Sequence, residues 1–143
     1  YNLGVMYHEG RGVLKDYAEA VKWYRLAAEQ GEAFAQLNLG AMSEGGTGVP
    51  KDYAEAIKWY RLSAEQGSPY AQHNLGLMYQ KGYGVLKDNV TAHMWFNISS
   101  ANGHEISGEH RDERAGLMTA NAIEKATAMA RECMNSDYKK CGY

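Results

Sequence analysis

Three groups of residues in this chain of 143 have the types and spacing that chemistry could use. Ser136-Asp137-Tyr138-Lys139 has the Ser-x-x-Lys arrangement in which an amine sits close enough to a hydroxyl to draw off its proton for acyl transfer. Such sites also carry Ser-Asp-Asn and Lys-Thr-Gly elements, and neither occurs here. His104-Glu105 and Glu109-His110 offer metal-ligand types, but the two imidazoles are six residues apart and fall on different sides of a helix, unlike an i, i+4 pair of zinc ligands. A solvated helix is the reading that spacing supports. Gly10-Arg11-Gly12-Val13, Gly46-Thr47-Gly48-Val49 and Gly82-Tyr83-Gly84-Val85 look at first like phosphate loops, but they follow no strand and lack the Gly-Lys-Ser/Thr that holds a phosphate. No dinucleotide fingerprint or zinc-cysteine spacing is present either. We therefore expect no catalytic residue, no cofactor and no metal site.

The glycine loops belong to a larger pattern. Leu3-Gly4 recurs as Leu39-Gly40 and Leu75-Gly76, and Asp16, Trp23 and Gly31 recur as Asp52, Trp59, Gly67 and as Asp88, Trp95, Gly103, always 36 residues on. A fixed period of this size marks a stack of similar supersecondary units, each burying its apolar face against its neighbours. Such arrays present long surfaces and seldom enclose a chemical site, so a binding protein is expected.

Within one unit, Ala33 to Met42 is rich in helix formers, with Ala35, Leu39 and Met42 on one apolar stripe. Gly40 costs about 1 kcal/mol relative to Ala inside a helix. Its recurrence implies close approach of the partner helix, through the Trp ring or its aromatic neighbour. The glycine loop then reverses the chain, Asp52 caps a second helix with Glu55 as capping-box partner, and that helix runs to Gln66 before Gly67. After Gly103 the pattern fails, with Asp112 standing where the Leu-Gly pair would put its glycine. His104 to Met118 reads as a helix, and Thr119 caps a last one, Ala120 to Met134, with Ile123, Ala126, Ala130 and Cys133 on its buried side. The domain reading is residues 1–103 for three repeats, the first truncated at its N-terminus, and 104–143 for a terminal helix pair and tail with a polar outer surface.

The formal net charge of −2 leaves no basic footprint for nucleic acid or anionic membrane surfaces, and no apolar run is long enough to span a bilayer. The chain starts at Tyr1, inside a helix by the repeat register, which implies missing upstream residues and conceals any signal peptide. Cys133 and Cys141 are either separate thiols of a reducing compartment or a disulfide closed through a turn at Asn135-Ser136-Asp137. A bridge would fit a periplasmic or secreted protein. The three Trp and most Tyr follow the period, which makes them packing residues. His93 occupies the apolar position of Val21 and Ile57 and reads as a satisfied, partly buried histidine, while Asn89-Val90-Thr91 and Asn97-Ile98-Ser99 are incidental matches to a glycosylation acceptor.

Ala-x-x-x-Leu-Gly-x-Met-Tyr, Gly-x-Gly-Val, Asp-Tyr-x-x-Ala, Trp-Tyr and Ala-Glu-Gln-Gly together resemble the Sel1-like repeat, a relative of the tetratricopeptide repeat, over Asn2 to Gly103. Arg111-Asp112-Glu113, Met118-Thr119 and Ala130-Arg131-Glu132-Cys133 resemble the segment that closes bacterial members. Ser43, Gly45, Asn89-Val90 and Phe96 depart locally from the pattern. The resemblance implies an all-α superhelical solenoid of antiparallel helix pairs with a C-terminal capping pair, acting as a non-catalytic adaptor for a protein or peptide. The concave face of such an array is lined by the first helix of each pair, which selects Asn2, Phe34, Asn38, Ala41, Tyr70, His73, Asn74 and Leu77, with His8, Glu44 and Gln80 varying the groove. Related repeats use an Asn at this place to hold peptide backbone, for which a carboxamide has both donor and acceptor; the other reading of Asn2, Asn38 and Asn74 is a ladder that bridges adjacent units. Some bacterial relatives are linked to β-lactam binding or hydrolysis, so a β-lactam-interacting hydrolase using Ser136 is the alternative function.

Overall fold

Asp16, Asp52 and Asp88 show why the chain breaks into helices where it does. The Asp16 carboxylate accepts from the amides of Ala18 and Glu19, Asp52 from that of Glu55 at 3.0 Å, and Asp88 from that of Val90 at 2.9 Å. Each satisfies amides that the first helical turn leaves open. In the computed structural model, which describes residues 1–142, the helices are α1 (Asn2–Glu9), α2 (Tyr17–Glu29), α3 (Ala33–Gly45), α4 (Tyr53–Ala64), α5 (Pro69–Lys81), α6 (Asn89–Ala101), α7 (Glu105–Ala115) and α8 (Ala120–Asn135). The class is all-α, and the described residues contain no strand. Glu55 departs from the expected capping box: its Oε1 accepts from the Trp59 indole at 2.8 Å and pairs with Arg25 at 3.3 Å.

The chain divides into two compact units, Tyr1–Ser63 and Ala64–Tyr143. In the first, α2 packs between α1 and α3, and Ala20, Val21, Tyr24, Ala35, Leu39, Met42 and Trp59 make up its core. In the second, α6 packs against α5, α7 and α8, around the buried Leu75, Met78, Met94, Trp95, Phe96 and Ile98. The second and third Trp side chains are core residues, at 3% and 0% exposure, whereas Trp23 is half-buried.

The recurring helical glycine has the cause inferred for it, with the aromatic neighbour rather than the Trp as partner. A Cβ on Gly40 would lie 2.7 Å from the Tyr60 ring, one on Gly4 2.7 Å from Tyr24, and one on Gly76 2.5 Å from Phe96. The first helix of each pair thus lays bare backbone on the ring of the second. After it, Gly46 takes φ 70° and Gly48 φ 72°, the left-handed values a side chain resists, and the Asp52 amide closes the loop on the Ser43 carbonyl at 2.9 Å.

Buried amides and hydroxyls join helices that packing alone would leave free to slide. Gln36 Nε2 donates to the Ala28 carbonyl and Gln72 Nε2 to that of Ala64, both at 3.1 Å. Ser63 Oγ donates to the Ala33 carbonyl at 2.8 Å, and Ser99 Oγ to that of Pro69 at 2.6 Å.

The C-terminal segment keeps more of the repeat register than its sequence suggests. α7 begins at Glu105, 36 residues after Pro69 where α5 begins. The helix is shorter than the span His104 to Met118, with His104 as its N-cap residue. Thr119 caps α8 by accepting from the Ala122 amide at 3.2 Å, and Ala126, Ala130 and Cys133 are fully buried while Ile123 is half-buried. Cys133 and Cys141 are joined in a disulfide, and left-handed residues at Asp137 (φ 54°) and Tyr138 (φ 61°) turn the tail back.

Replacing Gly40 by Ala sets the helix-propensity gain of about 1 kcal/mol against overpacking on Tyr60. Overpacking is expected to prevail, with a net loss of roughly 1–3 kcal/mol in urea-induced unfolding; a more stable variant would show that the ring moves aside at little cost.

Candidate functional site

The first helix of each pair, α1 and α3 in the first unit and α5 in the second, is its A helix, and in the first unit the A-helix surface is built from Tyr24 outward. Its ring is fixed against Gly4, and its phenol interacts with the Asn38 side chain. Burial, with smaller contributions from Tyr1 and Glu9, pushes this phenol up to about 12 against the opposing effect of Asn38. Beside Asn38 opens a small cavity of about 150 Å³ lined by His8, Asn38, Ala41, Met42 and Thr47. The His8 ring lies 5.4 Å from that of Tyr17 and 6.2 Å from that of Tyr24. Phe34 is 56% exposed, with the ring of Tyr1 6.2 Å away. Asn2 is exposed at the start of α1. Glu44 accepts a hydrogen bond from the Tyr60 hydroxyl at 2.7 Å, so its carboxylate is partly committed to packing.

In the second unit Tyr70 is 54% exposed and stands edge-on to His104, with ring centroids 5.1 Å apart. His73 and Asn74 are half-buried on the same helix. The His73 ring lies 4.6 Å from that of His104 and 5.2 Å from those of His110. The expectation that His104 and His110 sit apart on a solvated helix is thus corrected. His104 is a cap residue outside the helical turns, so both rings reach the same face of α5. Among the described residues no group of histidines, cysteines and carboxylates is arranged to hold a metal ion.

His93 is also corrected. It is buried at 3% exposure, and its Nδ1 has no hydrogen-bond partner. Burial first, and then the Arg111 charge, lower its pKa, with Asp112 opposing. Ser136 lies at the end of α8, where its Oγ donates to the Cys133 carbonyl at 2.8 Å and accepts from the Lys140 amide at 2.9 Å. Both contacts build the tail turn. Among the described residues no helix is long and apolar enough to cross a membrane.

Ser99 and Ser107 were not singled out by sequence reasoning. The signal that could have found Ser107 is the register: 36 residues after Ala71, it replaces a small buried residue with a hydroxyl. The same count makes His110 the next rung after Asn38 and Asn74.

Paired helices with a glycine bedded on an aromatic ring, repeated every 36 residues, define a helix-repeat protein of the tetratricopeptide-like class. The sequence pattern of the Sel1 repeat matches residues 1–32, 33–68 and 69–104, and the chain belongs to the Sel1 repeat family. Among solved structures it is similar to the protective antigen c5321 of uropathogenic Escherichia coli strains, which displays the Sel1-like repeat fold, with 37% identity and a TM-score of 0.81. That match covers 94% of this chain and 29% of the antigen. A Sel1 repeat protein from Oxalobacter formigenes matches at 29% identity and a TM-score of 0.78, over 96% of this chain and 64% of its own. The chain thus spans less than two thirds of either neighbour. No curated protein matches it in sequence.

Alkaline titration followed by phenolate absorbance should contain one phenol ionising near pH 12, absent from Tyr24→Phe. Persistence of that late phenol in the variant would assign it elsewhere and show that Tyr24 is less desolvated than its packing against Gly4 implies.

Proposed function

We propose that the chain is a non-catalytic adaptor that holds a peptide or protein partner on the outer surface of its A helices. The carrying observation is the placement of Phe34 and Tyr70. They stand 36 residues apart at the same position of successive A helices, and each is more than half exposed. Large aromatic side chains held open on rigid helices lose little conformational entropy on binding and are typical energetic anchors of interfaces. Asn38 and Asn74, one helical turn further along, supply a carboxamide beside each ring, and in the first unit the cavity next to Asn38 has room for a small apolar side chain. Asn2 in the first unit and His73 in the second are further A-helix residues of this reading.

The two readings of the asparagines combine in this proposal. Asn38 interacts with the Tyr24 phenol and so helps to tie α3 to α2. A carboxamide has further donor and acceptor capacity, which remains for a peptide main chain. The commitment of Ser136 Oγ to two backbone groups of the tail turn favours this binding role over acyl transfer at that serine. α7 and α8 serve as the closing pair of the array, with residues 104–143 as their segment. The Cys133–Cys141 bridge supports an oxidising compartment, periplasmic or extracellular.

Two measurements test these statements. Partner capture by wild-type protein should fall about ten-fold or more in an Asn38→Ala/Asn74→Ala variant and in a Phe34→Ala/Tyr70→Ala variant of matched thermal stability. Equal capture by all three would move the site off the A helices. Intact-mass analysis with alkylation should find no free thiol until a reductant is added. Reduction should then lower stability by roughly 2–3 kcal/mol, as expected for a loop of this short span; free thiols in protein purified from its natural compartment would remove the argument for export.

A further inference from the structure

The departures from the repeat collect in one place. α7 stands in register with α3 and α5, so its residues can be compared with theirs rung by rung. His110 stands where Asn38 and Asn74 stand, Ser107 replaces Ala35 and Ala71, and His104 replaces the capping residues Glu32 and Ser68. His73 replaces Leu37. Ser107 and His73 thus stand where other units have Ala and Leu, His104 and His110 bring imidazoles where other units have none, and the fold brings all four together.

Hydrogen-bond geometry fixes the protons of this cluster. Ser107 Oγ is buried and has three partners: Ser99 Oγ at 2.7 Å, His73 Nδ1 at 2.8 Å and His104 Nδ1 at 2.8 Å. Ser99 has one hydroxyl proton, and the Pro69 carbonyl at 2.6 Å can only accept it. Ser107 must therefore donate to Ser99 and accept from both imidazoles, which fills its capacity of one donor and two acceptors. Both histidines carry their proton on Nδ1, and any further proton must enter at Nε2. His110, edge-on to His73, has a buried Nδ1 with no hydrogen-bond partner.

We propose that His73, His104 and His110, gathered around Ser107, form an acid-sensitive latch that holds α7 against α5 and α6 while His73 is neutral and releases it as His73 takes up a proton. The groups that face His73 are His104, whose ring stands edge-on to Tyr70, Phe96 from α6, and Ser107 and His110 from α7. The charges that act on it are those of His104 and His110, and both oppose a further positive charge. An imidazolium at His73 would sit about 5 Å from the rings of His104 and His110, whose effect on it is to oppose positive charge at the seam between α7 and α5.

Burial first, and then the two neighbouring histidines, bring His73 from 6.5 down to about 4. With the closed-state value depressed, the released state takes the proton first. The latch is therefore at full strength above about pH 6.5 and weakens as the pH falls toward 4.

Hydrogen exchange from pH 7.5 to 4.5, expressed as protection factors to remove the intrinsic pH dependence, tests this directly. Protection of the α7 amides relative to those of α2 should fall with decreasing pH below about 6.5, approaching ten-fold per pH unit for one proton taken up on opening. His73→Leu/His110→Asn, which installs the residues of the sister repeats, should abolish that slope. α7 protection that is flat with pH, or equally steep in the double variant, would overturn the proposal. Should the double variant not fold, imidazole nitrogen NMR of the wild-type protein decides. His73 should hold its proton on Nδ1 at neutral pH and titrate together with the loss of α7 protection; an Nε2–H form, or titration uncoupled from α7, would overturn it.

Discussion

Contact between a glycine backbone and an aromatic ring is the constraint from which the rest of the structure follows. It holds the two helices of a pair closer than any side chain would allow at Gly4, Gly40 and Gly76. At that separation the ring is buried on the inside of the pair, and its para position emerges at the edge of the pair. The Tyr24 phenol interacts with Asn38 on the next pair, whereas Tyr60 donates to Glu44 of its own pair. Phe96 has no hydroxyl, and the residue next in register, His110, meets it by ring contact at 5.2 Å instead. At Tyr24 and Phe96 the packing contact of one helix pair thereby bears on which side chain the next pair supplies.

Polar groups divide the remaining work. A purely apolar interface between helices tolerates sliding, whereas a buried amide or hydroxyl must find its partner at one position. Gln36, Gln72, Ser63 and Ser99 each supply such a position. In the second unit the network runs on: Gln72 Oε1 accepts from Asn102, which exchanges hydrogen bonds with the Tyr138 hydroxyl at 2.9 and 3.2 Å. The disulfide and left-handed turn that bend the tail back therefore also seat an aromatic residue, whose ring lies against Gly67.

Features set by local spacing were legible in the chain: the repeat, the aspartate caps, the glycine reversal and the Thr119 boundary. Each depends on a few neighbouring residues and recurs, so every copy checks the others. What was not legible depends on the side chain that a residue meets across the fold. His104 and His110 look dispersed when α7 is drawn as an isolated helix, because periodicity gives the direction of a side chain and not what lies there. His93 was expected to be satisfied, yet it fills an apolar position and leaves Nδ1 without a partner. Glu55 had the spacing of a capping residue, but Trp59 and Arg25 offered it stronger partners than a backbone amide. The asparagine ladder was visible as a period, while the phenol that engages Asn38 comes from a helix whose tyrosine had been read as packing alone.

The bedding of a ring on bare backbone also limits how such a chain can change length. One residue added to a helix turns everything beyond it by about 100°, which would carry the glycine off its aromatic ring and the capping aspartate off its helix end together. An insertion or loss of 36 residues restores every one of these contacts at once. Lengthening by whole-unit duplication is thus compatible with the packing where drift by single residues is not, and each new copy arrives with an exposed position equivalent to Phe34 or Tyr70 that is free to diversify.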